Sequence, residues 1–511
     1  MLVNVFSAAV TGLVATIVEV EINATQGAKF FITGLPDAAV RESYSRVVSA
    51  IENAGYRRPL NNLVINLAPA DIRKEGSSFD LPIAIGCLAV SGMISPEKLG
   101  HTMLLGELGL DGRLRPTRGC LTVAIEARRA GFDALIVPRE NVMEAAVVDK
   151  LKVYGASNLV EVIDFLNGRE GLEPTVFDTR AEFLSRKDEV QPDFSEVKGQ
   201  ENVKRACEVA AAGGHNLLLI GSPGCGKSML AKRMPSILPP LTMAESLETT
   251  QIHSVAGILP EGVSLLHERP FRSPHHTISN VALIGGGSNF RPGEISLAHN
   301  GVLFLDELPE FGRVLETLRQ PLEDRVISIN RAKYSVKLPC SFMLMAAMNP
   351  CPCGYYNDPT HHCTCTPRQV KNYMSRISEP LLDRLDLQIE VTPVSFSDLA
   401  AKPAGESSAA IRERVVAARL IQQQRFRSIK GIHCNAQMTD AQLGEFAPLD
   451  DGCRRVIRTA MERRGLSARA YKRINKIART IADLDGAEHI DSRHVIEAVG
   501  YRSLDRSKWG E

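Results

Sequence analysis

Eight consecutive residues, Gly221-Ser222-Pro223-Gly224-Cys225-Gly226-Lys227-Ser228, have the types and spacing to hold a polyphosphate. Glycines let successive backbone N–H groups converge on phosphate oxygens, the Lys227 ammonium supplies a point charge to the β and γ oxygens, and the Ser228 hydroxyl ligates Mg²⁺. Asn216-Leu217-Leu218-Leu219-Ile220 reads as a buried strand entering the loop, and Met229 to Met234 as a helix leaving it. A glycine-rich turn without function is the bland alternative. The flanking strand and helix weigh against it and point to ATP.

Further along, Val302-Leu303-Phe304-Leu305 reads as a second buried strand ending in Asp306-Glu307. Phosphoryl transfer to water needs one carboxylate near the metal and another on the attacking water; Asp306 is the candidate for the first role and Glu307 for the second. A third apolar run, Phe342 to Met348, ends at Asn349, whose amide is placed to orient that water. Alone, an Asn at a strand end is a cap. Its order after the acidic strand gives it a candidate role.

Two short cysteine pairs, Cys351-Pro352-Cys353 and Cys363-Thr364-Cys365, are separated by Gly354 to His362. Four thiolates on one loop suit a tetrahedral structural Zn²⁺. Pairs with two intervening residues are commoner than C-x-C, so a metal-free loop of buried or reactive thiols stays open. Val326 to Val336 reads as a hairpin with β-branched arms and a cationic tip carrying Arg331 and Lys333. From Arg454 to Arg479 ten Lys or Arg residues stand against one acid, Glu462. That density suits phosphate binding or a solvated helical face.

The elements that position these groups fall into blocks. A chain of 511 residues exceeds one hydrophobic core, so several domains are expected. Residues 1–168 alternate short apolar runs with helical patterns and read as an α/β domain, followed by a broken polar linker over 169–192. A second α/β block over 193–392 carries the phosphate loop, the acidic pair, Asn349 and the cysteine pairs. A Pro/Gly/Ser stretch over 393–408 separates it from a basic, predominantly helical end over 409–511. The balance of 60 Lys and Arg against 59 Asp and Glu removes any global pull toward a polyanion, so a nucleic-acid site must be local. No apolar run is long enough to cross a bilayer, no basic signal start precedes Val5, and the cysteines are mostly scattered singly. The expectation is a cytoplasmic protein without membrane contact.

The three phosphate-site motifs, in this order, resemble an AAA+ P-loop ATPase core with a helical lid. Arg269 to Ser279, Gly285-Gly286-Gly287, Arg291 to His299, and Asn349-Pro350-Cys351-Pro352-Cys353-Gly354 together resemble the magnesium-chelatase-like ComM/YifB family across essentially the whole chain. The resemblance implies adenine contact at Gly199-Gln200. It makes Arg384, within Leu381-Leu382-Asp383-Arg384-Leu385-Asp386, similar to an arginine finger reaching a neighbour's γ-phosphate, and Arg469 similar to the second sensor on the lid. A finger supplied in trans implies a homo-hexameric ring. The hairpin would line its pore, with Arg331, Lys333 and, on a companion loop over Arg269 to His276, Arg272 as candidates to hold single-stranded or branched DNA. The family is regarded as DNA-translocating helicases that drive branch migration when transforming DNA is integrated. A chelatase- or MoxR-like protein-remodelling ATPase would show the same motifs.

In the first domain, Ile72 to Pro82 and Gly106 to Pro116 resemble the proteolytic (S5-type) domain of Lon proteases. Ser78 falls at that family's nucleophile, but Leu121 stands where its lysine base belongs, and a serine without a base is inert. The resemblance therefore implies a protease fold without protease chemistry, used for assembly or DNA contact. Lys74 or another lysine is the candidate substitute base under the remaining reading, an ATP-dependent protease.

Overall fold

The computed structural model describes residues 2–27, 29–57, 62–169, 171–176, 178, 181, 183, 192–287, 290–331, 334–358, 361–394, 405–429, 431–464 and 466–502. The first domain is built on β1 (Leu2–Thr11), β2 (Val14–Thr25), β3 (Phe30–Thr33), β4 (Asn62–Ala68), β5 (Thr102–Leu104), the short ribbon β6 (Glu107–Leu108) and β7 (Leu114–Arg115), then β8 (Ala134–Pro138) and β9 (Lys152–Ala156). Seven of these form one sheet in the order β3-β4-β2-β1-β5-β8-β9. β1 and β2 are joined through Gly12, at φ +63°, which lets the chain reverse within two residues. The helix Asp80–Val90 is buried along its whole length, because nearly every residue is apolar; its one acid, Asp80, is held by Arg46 at 2.7 Å.

The second block is a parallel sheet of β10 (Leu217–Ile220), β11 (Phe271–Arg272), β12 (Val302–Leu305), β15 (Met343–Met348) and β16 (Leu387–Glu390), in the order β11-β12-β15-β10-β16. Helices cover both faces, which is why β10, β12 and β15 are continuous apolar runs rather than alternating ones. Loops leaving the carboxyl ends of neighbouring parallel strands converge on one edge, and all three phosphate motifs leave by that edge. Between β12 and β15 the chain forms the predicted hairpin, β13 (Val326–Arg331) and β14 (Tyr334–Pro339), with Ile327, Ile329, Val336 and Leu338 turned inward.

The C-terminal helices Ser408–Arg425, Asp451–Arg464, Ala468–Leu484 and Ser492–Gly500 share one hydrophobic cluster with the sheet; Ser408–Arg425 and Ala468–Leu484 pack on the helix Glu201–Gly213, which in turn packs on β10 and β16. The first domain docks on the helix Met243–Ala256: Gln251 donates to the Leu13 carbonyl at 3.0 Å and the Gly119 amide to the Ser254 carbonyl at 3.1 Å. Buried Glu144 accepts from Ser254 Oγ and, at 2.7 Å, from Asn141. The β1–β2 turn also presses Gly12 against Val336 of the hairpin. Among the described residues no helix is long and apolar enough to cross a membrane.

Candidate nucleotide-hydrolysis site

β10 ends at Ile220 and the helix Lys227–Ile237 begins seven residues later, so Gly221 to Gly226 form the intervening loop. Gly224 (φ +79°) and Gly226 (φ +95°) occupy backbone regions that side chains disfavour, which turns the loop back onto the helix N-terminus. Lys227 is buried and folds over the loop, donating to the carbonyls of Gly221 (2.7 Å) and Ser222 (3.0 Å) and to Asn349 Oδ1 (3.2 Å). Ser228 Oγ donates to Asp306 Oδ2 at 2.5 Å. A hydroxyl from the first turn of the helix after β10 and a carboxylate from the end of β12 therefore meet at one point, the donor set that Mg²⁺ prefers. The residues present fit a magnesium-bound triphosphate.

Glu307 is a non-glycine residue at φ +54°, a conformation costing about 1 kcal/mol. Its Oε2 lies 3.1 Å from His276 Nδ1, and His276 packs edge-on against Phe311 and at a tilt against His275. The candidate base is thus held by a residue of the segment that follows β11. Sequence reasoning placed His275-His276 only within a loop; its one available signal was a pair of ionisable residues just beyond a strand.

The two arginines lie elsewhere. β16 runs parallel to β10 with Leu387 beside Leu217, so Arg384, three residues before β16, sits at the amino edge of the sheet, away from the phosphate loop. Asn216 fixes it there by donating to the Arg384 carbonyl at 2.9 Å. The Arg384 side chain is buried, donating to the Pro380 carbonyl at 2.5 Å and pairing with Glu323. Arg469, at the start of the helix Ala468–Leu484, faces Asp383 at 3.6 Å, so both arginines gather on the same edge. Asp386 is buried there; against the upward push of burial, Arg473 and His215 hold its carboxyl far below the usual range.

Family models for "Magnesium chelatase, subunit ChlI" match residues 193–399, "Subunit ChlI of Mg-chelatase" residues 18–141, and "Magnesium chelatase, subunit ChlI C-terminal" residues 405–502. The chain is 42% identical over 507 residues to the competence protein ComM of Haemophilus influenzae, covering 98% of this chain and 97% of that one. It is 43% identical over 510 residues to the uncharacterized protein YifB of Escherichia coli, again covering 98% and 97%. The chain belongs to the ComM/YifB family. It therefore has the magnesium-chelatase-like AAA+ core of that family, for which ATP and Mg²⁺ are the implied ligands.

Of the candidate DNA contacts, Arg272 is committed elsewhere: it lies in β11 and forms a bidentate ion pair with Glu294, Nε at 2.6 Å and Nη2 at 2.7 Å. Arg269 is likewise structural, bonded to the Pro239 and Asn300 carbonyls and to Glu245. The expected companion loop over Arg269 to His276 thus begins as an edge strand. The segment that touches the hairpin comes later, where Tyr334 Oη donates to the Gly287 carbonyl at 2.8 Å and its ring meets Phe290. Arg331 is exposed at the end of β13, while Lys333 lies outside the described residues. In the lid, Arg454, Arg469, Lys472, Arg473 and Arg479 pair with Asp451, Asp383, Asp440, Asp386 and Asp483. Much of the local cation excess is answered by acids distant in sequence or outside the counted window.

Cys351, Cys353, Cys363 and Cys365 converge, with all four sulfurs within 4.8 Å of one another. Sγ–Sγ separations are 3.3 Å for Cys351–Cys353, 3.7 Å for Cys351–Cys363 and 3.5 Å for Cys353–Cys363. A tetrahedron with Zn–S bonds of about 2.3 Å has edges of about 3.8 Å, so the donor set fits that metal.

A 60-residue stretch is 45% identical to an archaeal Lon protease of Archaeoglobus fulgidus, covering 11% of this chain and 10% of that one, which supports a Lon-like first domain. Ser77 and Ser78 line a cleft of about 630 Å³ with Glu107, Thr117 and Arg118, bounded on its far side by Phe290 and Tyr334. No lysine or histidine lines it among the described residues. Leu121 is fully buried, and Lys74, the candidate substitute base, is buried with its ammonium donated to the Pro69 carbonyl.

Proposed function

We propose that the chain is a cytoplasmic, ATP-driven ring motor that moves on DNA and drives branch migration during natural transformation and homologous recombination. The observation that carries the ring is the position of Arg384 at the sheet edge opposite its own phosphate loop. A cation so placed is out of reach of its own γ-phosphate; released from Glu323 it would serve a neighbour's, and identical subunits that each lend and receive one close into a ring, a hexamer by family resemblance. Arg469 shares that edge and acts on the same interface.

Within a site, Lys227 binds the β and γ oxygens while Ser228 and Asp306 hold the metal, which when bound neutralises charge between the phosphates. Glu307 leaves His276, turns to the attacking water and accepts its proton; Asn349 orients that water. The name of the relative, a competence protein, and the exposed Arg331 at the hairpin support DNA as the substrate. The four cysteines hold a structural Zn²⁺. The test is ATP turnover by the assembled protein with and without DNA, together with unwinding of three-way and four-way junctions. Turnover indifferent to DNA, with no junction unwound, refutes the DNA reading; stimulation by an unfolded polypeptide instead identifies a protein-remodelling ATPase.

A further inference from the structure

Gly354 lies inside the cysteine knuckle, buried and at φ +89°. A β-carbon built on it would stand 2.6 Å from Cδ and 2.7 Å from Cγ of Pro223, the third residue of the phosphate loop. Those distances are shorter than any real carbon contact, so the knuckle backbone already rests directly on the loop. Knuckle and site also touch a second time. Cys351 follows Asn349 by two residues, and Asn349 Oδ1 accepts from Lys227. The knuckle therefore contacts the nucleotide site through Pro223 and through the chain that carries Asn349.

The knuckle has little to hold its own shape. From Cys351 to Cys365 no helix or strand is present among the described residues; apart from contacts among the cysteines, its internal support includes the turns Cys351-to-Gly354 and Tyr355-to-Asp358, the His361 amide on Asp358 Oδ1 at 2.9 Å and a Tyr355–His361 ring stack at 4.7 Å. Loops this poor in apolar packing are ordered by a cross-link or a metal. The eleven cysteines are all free thiols, so the four sulfurs gathered here are available to a cation.

We infer that the tetracysteine knuckle is a metal-braced wall of the nucleotide site: Zn²⁺ on Cys351, Cys353, Cys363 and Cys365 keeps Gly354 seated on Pro223 and so sets the affinity of the phosphate loop for nucleotide. The inference rests on the zinc reading above, and the experiment separates the two. Full-length protein is analysed for zinc by elemental mass spectrometry. Its affinity for a fluorescent ATP analogue in excess Mg²⁺ is then measured before zinc removal by a chelator, after removal, and after Zn²⁺ is returned. The Gly354→Ala variant, which retains every cysteine, is carried in parallel.

One zinc per chain is expected. Removal weakens nucleotide binding about tenfold and returned Zn²⁺ restores it, while Gly354→Ala keeps its zinc and loses affinity by a similar factor. Absence of zinc from the purified protein overturns the metal assignment and the inference with it. Zinc present, with Gly354→Ala binding the analogue as the wild type does, leaves the metal standing and overturns the brace. Where Gly354→Ala holds its metal, this arm decides the matter even if chelation unfolds the protein; a variant that loses its zinc yet binds the analogue as the wild type does also overturns the brace.

Discussion

Mixing two inactive variants tests whether Arg384 acts across a subunit boundary. The Arg384 carbonyl is bonded to Asn216 at one end of β10, and the phosphate loop leaves the other end after Ile220. Four strand residues at about 3.3 Å each separate the two by roughly 13 Å, more than an arginine side chain spans. Arg384→Ala is therefore expected to keep its own nucleotide and lose about 10³-fold or more in turnover, near 4 kcal/mol of transition-state stabilisation. Lys227→Ala, which spoils the phosphate loop but not the arginine, is inactive for the complementary reason. When the two are co-assembled in equal amounts, a working site needs an Arg384→Ala subunit beside a Lys227→Ala subunit in the correct order. Random assembly gives that at about one quarter of interfaces, whatever the size of the ring. Steady-state ATP turnover of the mixture should approach about one quarter of wild type if sites fire independently. Mixed assemblies that form, as seen by size exclusion with differently tagged variants, yet stay at the floor of the single variants refute the trans assignment.

Glu307→Gln should bind the ATP analogue normally while turnover falls about 10²- to 10⁴-fold, because only proton acceptance is removed; wild-type turnover would mean the base is another group. His276→Ala releases Glu307 from its 3.1 Å contact, so basal turnover should rise about threefold and its stimulation by DNA shrink, as read by coupled ATPase assay. Unchanged basal turnover would show that the contact does not restrain the base. Asp386→Asn breaks a buried pair with Arg473 and should cost about 3 kcal/mol at neutral pH, measured by denaturant unfolding. The sign with pH follows from a carboxyl depressed in the folded state: its contribution is present above the unfolded carboxylate pKa and is lost as pH falls toward the folded value. The gap between wild type and variant should therefore narrow on acidification below about pH 4, and a gap that widens would contradict the pairing. Casein should survive incubation with the wild-type protein and ATP, since among the described residues no lysine or histidine lines the cleft that holds Ser78.

What was legible in the sequence depended on how local the chemistry is. A phosphate cradle needs consecutive backbone N–H groups between a strand and a helix, so Gly221 to Ser228 declared themselves as a contiguous string, and Asp306, Glu307 and Asn349 stood at the ends of apolar runs that could only be buried strands. The hairpin and the four-cysteine convergence were readable for the same reason, since each is closed by a short stretch of chain. Charge was misleading where partners are remote. Arg272 looked free for a phosphate until the fold brought Glu294 to it, and much of the lid's cation excess proved to be answered by acids such as Asp383, Asp386 and Asp440 that sequence counting leaves out. Three features belong to tertiary structure alone: His276 on Glu307, Gly354 on Pro223, and Arg384 at the edge opposite the loop it resembles a partner for. Each joins segments tens to more than a hundred residues apart, through contacts that leave no periodicity or spacing in the chain. Strand order decides them, because which loop ends share an edge of a parallel sheet depends on how its strands are threaded, and that is a property of the packed core as a whole.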